Sequence, residues 1–498
     1  MSLGAAPAPV PTGAPPAPAR GWETVVGLEV HCELSTATKA FCSCRAAFGD
    51  EPNTNVCPVC LGLPGSLPVL NKMAVELAIR VGVALHCDVE PSIFHRKNYF
   101  YPDMPKDYQI SQYDAPINVG GWLELPDGAR VGIERAHMEE DTGKSTHVGA
   151  GGRIHDANYS LVDYNRAGVP LVEIVSRPDI RSAAQARAYV NELRGILVAT
   201  GASDGKMEEG SVRVDANVSV RRAGTEALGT RCEVKNLNSL RSLGHAVDFE
   251  AARQVELLES GGRVVQETRH WDEGAGCTHP LRSKEEAFDY RYFPEPDLVP
   301  LTPEPEWVAS VAASLPPMPA ERRSRLRALD GLADPALNDR VATVVELGLD
   351  ALVVGAAGEG ADPLRALNLA ANELAADTQA AQSLDQRAFV ELVAMASGQP
   401  PALSATQAKA VLAEMLESGG RPAEIARRRG FQAMASDKLA AALDAAVASS
   451  PEQWARYVAG EDKVAGFFVG EVMRATSGRA DGKAVTALLR SRRSAGLA

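Results

Sequence analysis

At 498 residues, 45% hydrophobic and 23% charged, the chain has the balance of a globular protein of about two to four domains, taking roughly 100–200 residues per domain. Its net charge of −13 excludes a protein that coats nucleic acid nonspecifically, although one folded RNA can still be held by a local basic patch. No apolar run reaches the roughly 18 residues that span a bilayer, so no membrane partner is expected.

Residues 1–20, MSLGAAPAPVPTGAPPAPAR, are rich in Ala, Pro and Gly and carry no charge before Arg20. They lack the basic start and apolar core of a signal peptide and read as a disordered tail. A cytoplasmic location with reduced thiols is the matching expectation for the eight cysteines.

From Trp22 to Leu298 short β-type runs recur: TVVGLEVHCEL (24–34), PLVEIVS (170–176) and SVRVDANVSV (211–220). In the last, Val212, Val214, Ala216, Val218 and Val220 alternate with Arg213, Asp215, Asn217 and Ser219, the period of a strand with one buried face. Helical spacing with a capping Asn or Ser marks 71–85 and 182–201. Residues 21–298 therefore predict one large α+β domain. The Pro- and acid-rich PEPDLVPLTPEPEW (294–307) reads as a linker. An Ala- and Leu-rich helical domain follows over 299–402, and a break at SGQPPALS (397–404) opens an all-α tail domain over 403–498. Its helices are expected near 405–418, 421–428, 436–447, 451–458, 463–475 and 482–492.

Cys42-Ser-Cys44, twelve residues, then Cys57-Pro-Val-Cys60 can place four thiolates at the corners of a tetrahedron. Residues 42–60 thus predict a structural Zn²⁺ site with no open position for water. A second signal is a scatter of acids and imidazoles. Glu29 and His31 lie two apart and share a strand face. HMEEDTGKSTH (137–147) adds Glu140 among its acids, MEEGSVRVDANVSVR (207–221) adds Arg213 and Asp215, and CEVKNLNS (232–239) adds Glu233 and Lys235. Oxygen ligands of this kind suit Mg²⁺ bridging nucleotide phosphates, with Lys and Arg balancing phosphate charge. Solvated charged faces remain the alternative. There is no GxxxxGK[ST] loop and no strand–GxGxxG–helix unit, so ATP, if used, sits on a sheet face with a carboxylate-held metal. HRKNYFYPDMPKDYQISQYD (95–114) mixes basic and aromatic residues, which serves either nucleobase stacking or a core. Basic clusters ARRRG (426–430) and LLRSRRS (488–494) stand beside tail helices, where solvation is the ordinary role and phosphate contact the other.

In order, GLEVHCEL, FHRKNYFYPDMPKDYQISQYDAPI, HMEEDTGKSTH, LVDYNRAGVPLVEIVSRPDIRS, KMEEGSVRVDANVSVR, EVKNLNS and DYRYFPEPDLVPL resemble the B-subunit family of the heterotrimeric aspartyl/glutamyl-tRNA amidotransferases. The resemblance runs from about Thr24 to the end. It implies a glutamine-synthetase-like cradle domain, followed by a helical domain and a tRNA-binding tail domain. It further implies ATP-dependent conversion of Glu-tRNA(Gln) and/or Asp-tRNA(Asn) to the amide form. Ammonia would come from glutamine through the amidase, or A, partner, with the small C partner tying the other two together. Carried over, Glu29, His31, Glu140 and Glu233 match metal ligands. Asp215 falls in the same motifs as a further ligand, with Lys235 and Arg213 beside Glu140 as catalytic groups. The cysteine quartet matches a zinc site that some members have. The long start before Gly21 departs from the family pattern, as do Glu471, where Gln is common, and Ala480-Asp481-Gly482 in place of Ala-Asn-Pro. The residues by themselves leave two rivals: a noncatalytic tRNA-binding scaffold and a free-standing ammonia ligase for small amino acids.

Overall fold

A computed structural model of the chain describes residues 21–149, 157–281, 290–398, 401–431, 436–476, 480 and 482–494; the tail expected over 1–20 lies outside them. The chain forms two compact units, Met1–Ala320 and Glu321–Ala498. Among the described residues, no single helix is long and apolar enough to cross a membrane.

The strands of the first unit, in chain order, are β1 (Trp22–Glu33), β2 (Asp88–Val89), β3 (Ile93–Asn98), β4 (Tyr108–Ala115), β5 (Asn118–Val119), β6 (Trp122–Glu124), β7 (Arg130–Glu140), β8 (Lys144–Gly149), β9 (Ala157–Asp163), β10 (Pro170–Ser176), β11 (Val212–Arg222), β12 (Cys232–Leu237), β13 (Thr268–Asp272), β14 (Cys277–Pro280) and β15 (Phe293–Pro294). β8 and β9 pair alone. The others form one sheet whose main order is β14-β13-β12-β11-β1-β10-β7-β4-β3-β15. Its pairings are antiparallel apart from β12–β13. This is the α+β architecture expected for the first domain.

Strand alternation divides the sheet into an apolar and a polar face. Leu28, Val30 and Cys32 of β1, Val172 and Ile174 of β10, and Val212, Val214 and Ala216 of β11 are buried. They share one core with helices α1 (Lys72–Ala84), α2 (Ala183–Ala199) and α3 (Leu240–Glu259). The expected caps are in place: the Asn71 side chain accepts from the Met73 and Ala74 amides, and Ser182 from the Gln185 amide. Helix α4 (Pro305–Ser314) places Val311 in this same core, with Trp307, Val308 and Leu315 packed against it. Residues 299–320 thus belong with the sheet, not with the helical domain expected from 299, because this helix supplies apolar cover for the first core.

Helix α1 lies close against the fully buried Asn118, whose Nδ2 donates to the carbonyls of Ala78 and Ala136 at 3.0 Å each. A Cβ at Gly82 would stand 1.9 Å from Asn118 Oδ1. Gly82→Ala is therefore expected to displace a pinned amide and to destabilise the first unit by about 2–4 kcal/mol, read from the urea midpoint.

The second unit is helical. Its first core gathers residues from Leu326 to Ala426. It is drawn from α5 (Pro319–Arg327), which begins at the boundary of the first unit, and from α6 (Asn338–Glu346), α7 (Asp350–Gly358), α8 (Pro363–Asn372), α9 (Thr378–Gln382), α10 (Gln386–Ser397), α11 (Ala405–Ser418) and α12 (Pro422–Arg428). A separate core joins Leu443, Trp454, Tyr457, Phe468, Val472 and Leu489 across α13 (Ser436–Ser449), α14 (Pro451–Val458), α15 (Ala465–Ala475) and α16 (Gly482–Ser494). The helices stand close to where spacing placed them, but the apolar division differs from the expected 402/403 boundary. Leu403, Ala408, Val411, Leu412 and Met415 share a core with Phe389 and Val393. The helices on either side of SGQPPALS thus share one core, and the core changes between Phe431 and Leu439.

Candidate functional site

The polar sheet face carries the site, and strand register assembles it. Across β1–β10 His31 stands opposite Glu173, and across β10–β7 Glu173 stands opposite His137. Across β1–β11 Glu29 faces Asp215 and His31 faces Arg213; across β11–β12 Asn217 faces Glu233. Directly paired residues point to the same side of a sheet, so acids from five adjacent strands converge.

At the centre, the ligating atoms of His31, Glu139 and Glu173 all lie within 4.8 Å of one another. His31 Nε2 is 3.6 Å from Glu173 Oε2. The fully buried His137 lies beneath, its Nε2 3.4 Å from Glu139 Oε1 and 3.6 Å from Glu173 Oε2. Ser111 Oγ donates to Glu139 Oε1 at 2.8 Å and Gln109 Nε2 to Glu139 Oε2 at 3.1 Å. These partners fix both carboxylates in place, the way outer groups orient metal ligands.

The electrostatics follow from this crowding. Burial works against the charge on Glu173, but the hydrogen bond from His31 and the charge of His137 outweigh it and hold its pKa below the carboxylate range. His31 is the mirror case: burial opposes its proton, and Glu173, then Glu139 and Asp215, raise its pKa net. Glu29 is raised, first by burial and then by the charge of Glu173. A cation among these groups would relieve that repulsion.

Around the centre, Asn217 Nδ2 donates to Glu29 Oε1 at 2.9 Å. Lys235 Nζ lies 2.8 Å from both Asp215 Oδ2 and Glu233 Oε1. Burial opposes the Lys235 charge, but Asp215 and then Glu233 raise its pKa. Arg213 turns to Asp141 instead, Nη2 to Oδ2 at 2.6 Å, where Arg166 also pairs at 3.3 Å. Beside them Glu33 is pushed up to about 8, first by burial and then by the Asp141 charge. Two clefts meet over the acids. One of about 1130 Å³ is lined by Glu29, Glu173, Glu233 and Lys235. The other, of about 700 Å³, is lined by Arg213, Asp141, Asn236 and Tyr99. His31, Glu139 and Asp215 border both.

Of the residues expected at a metal–phosphate site, the fold brings Glu29, His31, Asp215, Glu233 and Lys235 to one cleft, with Arg213 at its neighbour. Glu140 is not among them, which corrects the expectation. It follows Glu139 on β7, and alternation turns it to the side of the buried Met138. There its carboxylate pairs with Lys106 and accepts from the Ile110 amide at 2.8 Å. The central positions belong to Glu139 and Glu173, which sequence reasoning did not assign. Glu173 sits inside the apolar run PLVEIVS, and a lone acid in a strand otherwise bound for the core was its signal.

The cysteine quartet is gathered as expected. The sulfurs of Cys42, Cys44, Cys57 and Cys60 lie within 4.8 Å of one another, and the Cys57 amide donates to Cys60 Sγ at 3.1 Å. The Cys42 thiol's hydrogen bond, with the Cys57 amide and the Lys39 charge, draws Cys60 down to about 4. Cys42 is pushed up, first by its hydrogen bond to Cys60, and Cys44, first by burial, to about 11. Four convergent sulfurs, one already favoured as thiolate, suit a tetrahedral soft-ligand metal. The 95–114 run is partly structural: Arg96 makes two hydrogen bonds to the buried Glu295 at 2.7 and 2.8 Å and lies over the Tyr108 ring.

Comparison with known proteins places the chain in a family. The family description "GatB/GatE catalytic domain" matches residues 24–309, and "GatB domain" matches 352–492. The chain is 51% identical to the B subunit of the aspartyl/glutamyl-tRNA(Asn/Gln) amidotransferase of Frankia casuarinae, over 95% of each chain. It is 49% identical to that of Thermobifida fusca, over 93% of this chain and 92% of the relative. The Nocardia farcinica protein of the same name is 48% identical, over 94% and 95%. With both halves matched and relatives aligned nearly end to end, the chain belongs to the GatB family.

Proposed function

We propose that the chain is the transamidase component of a tRNA-dependent amidotransferase, a ligase that forms a carbon–nitrogen bond with glutamine as amide donor. The substrates are Glu-tRNA(Gln) and/or Asp-tRNA(Asn), the products Gln-tRNA(Gln) and Asn-tRNA(Asn), and the location the cytoplasm. The observation that carries the reading is the group His31, Glu139 and Glu173, with Glu29, Asp215 and Glu233 beside it, at the junction of two clefts.

The chemistry needs such a site because a carboxylate is an anion without a leaving group. One oxygen of the tRNA-borne side chain attacks the γ-phosphorus of ATP, and ADP departs with the electrons of the broken P–O bond. Ammonia then attacks the activated carbonyl carbon. Phosphate leaves with the C–O electron pair, and the surplus proton passes to a carboxylate of the cleft. The amidase (A) partner releases the ammonia from glutamine, and the small C partner completes the complex. Two carboxylates and one imidazole, with three more acids adjacent, are a donor set mostly of oxygen and fit a hard divalent ion. Mg²⁺, held by His31, Glu139 and Glu173, would offset the charge of bringing a carboxylate and a triphosphate together. Lys235 adds a fixed positive charge between Asp215 and Glu233, and Arg213 adds one at the mouth of the second cleft. The four cysteines would hold a structural Zn²⁺.

The test supplies the full-length chain, in its assembled complex, with mischarged tRNA, Mg²⁺-ATP and ammonium. Amide on the tRNA together with ADP is the expected result. ADP from free glutamate without tRNA points to a small-molecule ligase. Intact tRNA binding with neither product points to a scaffold.

A further inference from the structure

The larger cleft holds more than the reaction uses. Beside its acids, on the same sheet face, stands a row of flat groups. The Tyr113 ring stacks on Tyr292 with centroids 5.4 Å apart and planes 19° from parallel. The Arg135 guanidinium lies over the Tyr113 ring at 4.7 Å. Tyr113 is 48% exposed, an unusual position for an aromatic ring whose lower edge meets the buried His137. All of these except His137 line the cleft that holds Glu29 and Glu173.

The positive groups there also differ from the rest of the site. Lys235 and Arg213 are tied to carboxylates. Among the described residues, Arg135 and Lys97 have no ion-pair partner, although both line a cleft crowded with acids. Arg135 Nε is buried and makes no hydrogen bond. Arg135 thus brings to the cleft a positive charge that no carboxylate among the described residues offsets, which favours an anion there.

We infer that Tyr113, Tyr292 and Arg135 form a platform for an adenosine nucleotide, the base extending the Tyr292–Tyr113–Arg135 row and the unpaired charge of Arg135 favouring its phosphates. Aromatic and guanidinium planes both accept a base by stacking. This rests on the proposed amidotransferase function, which brings two such nucleotides to the cleft: ATP, and the 3′-terminal adenosine of the acylated tRNA. The platform is a binding and positioning device. Its register beside the acids fixes how far the nucleotide's reacting end reaches over them, since Arg135 pairs with Val175, two residues along β10 from Glu173.

The test compares Tyr113→Ala, Tyr113→Leu and Tyr113→Phe in the full-length chain within its assembled complex, with ammonium as nitrogen source. Tyr113→Ala and Tyr113→Leu should raise the KM of one nucleotide substrate about tenfold or more with kcat changed less than about threefold. Tyr113→Phe, which keeps the ring, should restore it. A rise confined to ATP assigns the platform to adenine of the cofactor; a rise confined to acylated tRNA assigns it to the RNA end. Unchanged KM for both substrates overturns the proposal, as does a Phe variant as weak as Ala, or a loss confined to kcat. Equilibrium binding of ATP and of tRNA to the same variants, scored without turnover, separates this proposal from the catalytic one. Weakened binding in Tyr113→Ala and Tyr113→Leu supports the platform even if no amide forms, and unaltered binding of both ligands removes it even if the enzyme turns over.

Discussion

Glu173→Gln is expected to lower ammonium-dependent amide formation by about three orders of magnitude in kcat, about 4 kcal/mol of barrier, while leaving the fold intact. Gln matches Glu in size, so the buried position stays filled. What is lost is one negative charge at the point where His31 and His137 converge, 3.6 Å from each. That charge serves twice: it is one of two carboxylates in the central group, and it holds the proton of His31. Raising Mg²⁺ should recover part of the activity if the defect lies in metal affinity. Wild-type kcat at ordinary Mg²⁺ would remove Glu173 from the site. Glu140→Gln is the internal control. Its carboxylate belongs to Lys106 and the Ile110 amide on the other side of β7, so the Mg²⁺ concentration for half-maximal rate should stay at the wild-type value whatever happens to the rate itself.

The pair Glu139 and Glu140 shows what the sequence could and could not reveal. HMEEDTGK announces acids, and the strand pattern is readable, but which of two neighbouring acids faces the cleft depends on the phase of the strand. That phase is set by what the strand packs on: Met138 enters the core, which sends His137 and Glu139 to the polar face. Glu29 with His31, and Glu233 with Lys235, were legible because each pair is two apart, so any phase keeps the two together. Glu173 was hidden by its apolar neighbours, since its role comes from strands 36 and 142 residues away meeting at one register (173 − 137 and 173 − 31). The helices of the second unit were legible from caps and spacing. Its division was not, because a Pro-Pro sequence reads alike whether the flanking helices pack together or apart, and only the shared core of Leu403, Val411 and Phe389 decides.

The remaining large effect concerns the cysteines. Cys57→Ser should reduce bound zinc from one per chain to well below that, and should loosen the segment 42–69 while leaving the sheet folded. The argument lies in how little else holds this segment. Phe48, Leu63, Leu67 and Val69 are exposed by 50–75%, so it has almost no apolar core of its own. Its other anchors are polar, among them the Lys39 amide to the Cys44 carbonyl at 3.0 Å, the Asn53 amide to Asp163 at 2.9 Å, and the Asn55 amide to Asn165 at 2.8 Å. Such bonds contribute about 1 kcal/mol each. A metal held by the four thiolates would add to these anchors, and loss of such a metal belongs to the class of change that costs about 4 kcal/mol or more. Serine keeps the size but is a poor ligand for a soft site. Zinc measured by mass spectrometry of the native chain and hydrogen exchange over 42–69 both read the outcome. A variant with full zinc and unchanged exchange would show that the four sulfurs meet for some reason other than a metal. Because Lys39, Cys60 and Gly168 line one small cavity with Glu140 and Lys106, a loosened loop should also disturb the back of the sheet behind the acids. Amide formation should then weaken through a raised KM and a lowered kcat together, with the Mg²⁺ requirement unchanged.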